Sequence, residues 1–243
     1  MGGASAVLGT RRVVALGVLG VALGAYFGLH GSLPNLPLWW DIALLAFLVM
    51  PAVFATVWLL LPLWSAARSA ALVGAVFAVL AVAFDAAGLD AAGSFAKLGA
   101  ATFLAWGFLS MFETVSWIVI VAAIVPWVDA FSVFRGPTKA IVTHKRGLFE
   151  HLSFAFPVPG QSSTANLGIP DLVFFALFLA ATVRWRLRPG LTWLFLVASF
   201  GGTIAIAVWL SVGGLHGLPA LPLLSFGFFL ANGDLVWRRM HRG

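Results

Sequence analysis

The sequence predicts an all-α fold, a polytopic bundle of about eight transmembrane helices, on three observations. Hydrophobic residues make up 62% of the 243 residues, charged residues only 9%, and the mean hydropathy is +1.05. Apolar runs reach roughly 18 to 22 residues, about the length that crosses the hydrocarbon core. Trp39, Trp40, Trp64 and Trp237, four of the eleven tryptophans, stand at the ends of those runs, where amphipathic rings prefer the headgroup layer. A soluble domain spreads charge over its outside, so an ordinary soluble surface is excluded.

Taken in order, the predicted helices cover about 13–30, 39–61, 69–87, 96–112, 115–134, 168–184, 191–211 and 217–236, separated by Pro, Gly or charge clusters. The first follows Arg11 and Arg12 as a signal peptide would, but no convincing small-residue cleavage site follows, and it reads as a retained helix. The fourth and fifth divide at Glu113, where a tight hairpin is expected. The connection at about 135–166 is the only long one, which marks it as functional or disordered. Its basic stretch from Lys139 to Arg146, followed by the apolar stretch Gly147 to Phe154 and by Pro157 and Pro159, suggests a segment lying on the membrane interface before the next helix.

The net charge is +6, yet the basic residues sit in short groups beside apolar runs, so nucleic acid is not an expected partner and the lipid bilayer is. Counting them by side places Arg11, Arg12, Arg68, Arg184, Arg186, Arg188, Arg238, Arg239 and Arg242 together. Lys97, Arg135, Lys139, Lys145 and Arg146 fall opposite. Nine against five puts both termini in the cytoplasm. With no cysteine, disulfide and thiolate chemistry are excluded. His-Glu-x-x-His and Gly-x-Ser-x-Gly are likewise missing, His144, His151 and His216 read as loop or interface residues, and no metal or cofactor is expected.

The eight acidic residues carry the chemistry. Asp41 reads as a cap at a helix start, and Asp90, Glu113, Glu150 and Asp234 as loop or helix-end residues. Asp85 lies deeper, near the end of its run. Asp129 and Asp171 are embedded in apolar sequence, where a carboxylate at the bilayer centre costs roughly 2.5–3.5 kcal/mol even on mild insertion scales, so each is a functional-site candidate by default. The alternatives for each are a helix–helix hydrogen bond and a position at the membrane edge. They flank the long connection and are approached from one side. Two carboxylates in one low-dielectric site cannot both ionise easily, so the pair would share a proton, with one member acting as general base and the other as general acid.

Three motifs in order, Val128-Asp129, Gly168-Ile169-Pro170-Asp171 and Pro219-Ala220-Leu221, with the stretch from Asp129 to Gly136-Pro137, resemble the presenilin and signal peptide peptidase class of intramembrane aspartyl proteases over about residues 115–236. The resemblance implies a prokaryotic plasma-membrane homologue, with N-terminal helices in 1–114 and catalytic helices in 115–243. It implies that Asp129 and Asp171 are catalytic, and that Gly168, Pro170, Pro219, Ala220 and Leu221 contact substrate. The substrates implied are single-span transmembrane helices or signal peptides. The sequence departs from the family in holding Val128 for a tyrosine and Pro170 for a glycine. Proline fixes its own φ and lacks a donor, which glycine does not, but it suits the first position of a helix. Pro219 and Pro222 leave irregular backbone that an unwound substrate strand can pair with. Two alternatives stand beside this reading: a non-catalytic helix-binding member of the same fold, and a proton- or cation-coupled transporter using the same aspartates, although no inverted repeat is visible.

Overall fold

The computed structural model describes residues 2–66, 69–135, 153–211 and 219–241. Helix α1 (Gly2–Leu29) bends at Gly9, whose φ is +69°, and ends in a 3-10 turn, His30–Ser32. Helix α2 starts as Leu38–Leu44, widens to a π-helical stretch at Leu45–Val49, resumes as Met50–Leu60 and closes in a 3-10 segment, Leu61–Ala66. Pro51 explains the widening: it has no N–H to return to the carbonyl of Phe47, and its ring clashes there, so the hydrogen-bond ladder shifts. Helices α3 (Ala70–Ala86), α4 (Asp90–Ser110), α5 (Val115–Arg135), α6 (Ile169–Arg184), α7 (Pro189–Ser211) and α8 (Leu221–Met240) complete the all-α framework. The expected hairpin at Glu113 is present between α4 and α5.

Four helical stretches are long and apolar enough to cross a membrane: Leu8–Ser32, Leu38–Trp64, Val115–Ser132 and Pro189–Leu210. The chain is accordingly a membrane protein. The remaining helices are shorter or carry charge, and α6 is the most enclosed. Phe175, Ala176, Leu177, Phe178, Leu179, Ala180 and Ala181 are fully buried. Its alanines let neighbours approach, as small residues do where lipid offers no hydrophobic drive to associate. Phe54 of α2 stacks on Phe200 of α7 at 4.8 Å and meets Phe175 of α6 at 4.3 Å, while Phe178 stacks on Phe228 of α8 at 5.0 Å. Packing of α3 on α4 is closer still: a Cβ at Gly74 would lie 2.8 Å from the Leu104 backbone nitrogen.

Three expectations are corrected. The end of the long connection is not an interfacial segment but a β-hairpin, β1 (Ser153–Pro157) and β2 (Thr164–Gly168), antiparallel with Ser153 opposite Gly168 and Pro157 opposite Thr164. Phe154 and Phe156 are fully buried, and Phe154 packs edge-on against Phe27 of α1 and Phe95 of α4, so the protein rather than the headgroup layer takes this apolar surface. The rest of that connection, including Lys139 to Arg146 and Glu150, lies outside the described residues. Lys97 is not a flanking anchor, because α4 begins at Asp90 and places Lys97 two turns inside, where it is buried and paired with Asp85 at 2.8 Å. Asp41 makes no cap hydrogen bond and is 3% exposed.

At the hairpin tip, Gly160 holds φ +66°, and an added Cβ would meet the Leu33 carbonyl at 2.7 Å and the Asn35 nitrogen at 2.8 Å, both backbone atoms that cannot swing aside. Gly160→Ala is expected to cost at least about 1 kcal/mol, from left-handed strain alone. Thermal unfolding in detergent measures it, and an unchanged midpoint would contradict the account of this turn.

Candidate functional site

Helix α5 meets α8 and, less extensively, α6. Its inward stripe runs Val115, Ile118, Ala122, Val125 and Asp129, with helical spacing, while Ile124, Trp127, Val128 and Phe131 form an outward face and are 53–78% exposed. Asp129 therefore continues the packed side of α5 at a half-buried position. Val128, where the resembling family carries tyrosine, is 60% exposed on the opposite side. Pro126, three residues earlier, removes a rung from the ladder and leaves the carbonyl of Ala122 without its usual partner in the helix.

The Asp129 carboxylate accepts a hydrogen bond from the Leu221 N–H, 3.1 Å away. Leu221 is the first residue of α8, so this N–H is one that no helical carbonyl reaches. Pro222 follows it and has no N–H at all, which concentrates the positive end of α8 on the donor that Asp129 uses. Pro219 is half-buried and Ala220 buried at 4%, beside that contact. The Pro-Ala-Leu segment thus has a definite local role, since it opens a helix whose first N–H meets Asp129.

Asp171 occupies the first turn of α6, with Gly168 at the N-cap. The Gly168 N–H donates back to the Asp171 carboxylate. This is half of a capping box, in which the third helical residue satisfies the N-cap donor. The Gly168-Ile169-Pro170-Asp171 spacing contains that signal, which reading the motif for its chemistry alone overlooks. Pro170 stands second in the helix, not first, and costs no hydrogen bond there because the early N–H groups lack helical acceptors anyway. A side chain at 168 would lie 3.2 Å from Asp171 Oδ2, so glycine keeps that oxygen approachable.

The fold brings the predicted residues together. Asp171 lies within electrostatic reach of Asp129, and the pair sits where the N-terminal ends of α6 and α8 converge on α5. Two acids in one apolar setting make it costly for both to be ionised at once. The opposite ends of α6 and α8 carry arginines. There Arg188 forms a two-pronged pair with Asp234 at 2.7 and 2.8 Å, and its backbone N–H donates to Asn232, while Arg184 bonds the Leu109 carbonyl at the end of α4. These ties fix the helices far from the aspartates. Among the described residues, no three histidine or acidic side chains gather as metal ligands would.

Comparison with protein-family models, with curated proteins and with solved structures returns no match, so the assignment of this site rests on its geometry.

Proposed function

We propose that the chain is an intramembrane aspartyl protease that hydrolyses peptide bonds within single-span transmembrane helices or signal peptides, with Asp129 and Asp171 as the acid–base pair. The observation that carries this reading is the meeting of two acids at the N-terminal ends of two helices, with the Leu221 N–H on one and the Gly168 N–H on the other. The ionised member takes a proton from water, whose oxygen attacks the peptide carbonyl carbon, while the protonated member gives its proton to the carbonyl oxygen. Collapse of the resulting gem-diol breaks the C–N bond and passes a proton to the leaving amine. Only backbone N–H groups and two carboxyls are needed.

A substrate helix must first unwind, since its carbonyls are internally bonded. Hairpin strand β2, which leads straight into Asp171, supplies an extended partner for the unwound segment. The broad outward face of α5 leaves the Asp129 helix approachable through the bilayer. In this reading the protein is multi-pass in a prokaryotic plasma membrane with both termini cytoplasmic, and Gly168, Pro170, Pro219, Ala220 and Leu221 line the substrate path.

Purified protein in liposomes containing single-span reporters should release two fragments without added metal. If a broad reporter panel stays intact while the liposomes show aspartate-dependent ion flux, the transporter reading takes its place. The capping-box contact of Asp171 favours one further reading, a non-catalytic helix-binding protein, in which reporters bind and remain whole. Topology has its own check: a tag at Thr143 should be reached by membrane-impermeant reagent from outside the cell, and labelling only after lysis reverses the orientation.

A further inference from the structure

The hairpin is tied at three points to the N-terminal part of the chain. The Tyr26 hydroxyl of α1 donates to the Pro157 carbonyl at 2.6 Å. The Gly160 N–H donates to the His30 carbonyl at 2.8 Å. The Gln161 side-chain amide donates to Asp41 Oδ2, in the first turn of α2, at 3.1 Å. Ser163 donates its hydroxyl to Gln161 Oε1 at 2.9 Å, which turns the amide nitrogen toward Asp41.

Asp41 is 3% exposed, lies within electrostatic reach of the Tyr26 phenol, and accepts no hydrogen bond on Oδ1 among the described residues. Burying an acid with one oxygen unsatisfied costs stability instead of adding to it. The Asp41–Gln161 bond therefore makes poor sense as a stabilising device and good sense as a locating one. All three tethers come from α1, its connection to α2, or α2 itself. The strand they restrain, β2, is about 17 Å of extended chain and continues without interruption into Gly168, whose N–H holds the Asp171 carboxylate.

We propose that Tyr26, Asp41 and Gln161 are positioning residues for Asp171: they clasp the hairpin tip to α1 and α2, and β2 carries that orientation to the strand–helix junction that presents the carboxylate. The proposal rests on the protease reading above. It makes the N-terminal helices part of the active-site support instead of a separate anchor.

The experiment uses the full chain in liposomes with Tyr26→Phe, Gln161→Ala, Asp41→Ala and the conservative Asp41→Asn, which keeps an acceptor oxygen for Gln161. Two readouts are taken: reporter cleavage kinetics, and amide hydrogen exchange at residues 164–168. The first three variants should lower kcat about tenfold with KM changed less than about twofold, and should speed exchange in β2, whereas Asp41→Asn should match wild type in both. Unchanged kcat in all three, beside an active wild type, overturns the proposal; so does a loss in Asp41→Asn equal to that in Asp41→Ala. Should wild type cleave nothing, the protease reading fails separately and exchange alone decides the clasp. Unchanged exchange then removes it, and faster exchange supports it as a conformational tether.

Discussion

Replacing either Asp129 or Asp171 by asparagine should abolish peptide-bond cleavage while leaving the fold intact. Each variant removes one half of an acid–base exchange, and a positioned general acid or base contributes about 10²–10⁴ in rate, so a loss of roughly 10³ or more is expected. Asparagine retains a carbonyl oxygen. At position 129 that oxygen can still accept the Leu221 N–H, and at position 171 it can still accept the Gly168 N–H, so the two helix starts keep their partners. That design separates catalysis from capping: if Asp171 served only its own helix, Asp171→Asn would be nearly silent. Cleavage of a single-span reporter and thermal unfolding in detergent are measured on the same preparations. Residual activity within tenfold of wild type in either variant, with an unchanged unfolding midpoint, would remove that aspartate from the chemistry.

The largest expected effect on stability lies elsewhere, at the buried pair of Lys97 and Asp85. Their side chains are only 9% and 17% exposed, and the charged atoms are 2.8 Å apart. Removing one partner from a buried pair leaves an uncompensated charge, at a cost of about 3 kcal/mol, whereas replacing both with apolar residues is often close to neutral. Lys97→Met should therefore lower unfolding stability by about 3 kcal/mol, and adding Asp85→Ala to it should recover most of that loss. A double-mutant cycle by denaturant unfolding in detergent measures the coupling. Harmless single substitutions, or strictly additive ones, would show that the pair does not hold α3 to α4.

How far the sequence speaks for each element follows from the range of the interaction involved. Asp129 and Asp171 stand out because a carboxylate inside an apolar run is expensive wherever the chain goes, a cost that can be seen one residue at a time. The start of α8 is visible too, since Pro219 stands just before it and Pro222 in its first turn, where a missing N–H costs no helical bond. By contrast, the hairpin at 153–168 is not legible along the chain. Its strands are five residues each, short beside the long apolar runs around them, and the turn signal at Pro159-Gly160 does not say which two segments pair across it. Asp41 looks like a cap because it stands at a helix start, yet its side chain turns to Gln161, 120 residues away.

Taken alone, the sequence determined the all-α membrane class and the sites where charge is costly, because length, hydropathy and the penalty on a buried carboxylate are properties of local chain in lipid. Only the tertiary structure decided which charges answer one another: Asp129 with the first N–H of α8, Asp85 with Lys97, Asp41 with the hairpin tip. Hydrogen bonds and ion pairs act over about 3 Å, and no pattern along the chain specifies which distant residues the packing of helices will bring within that distance.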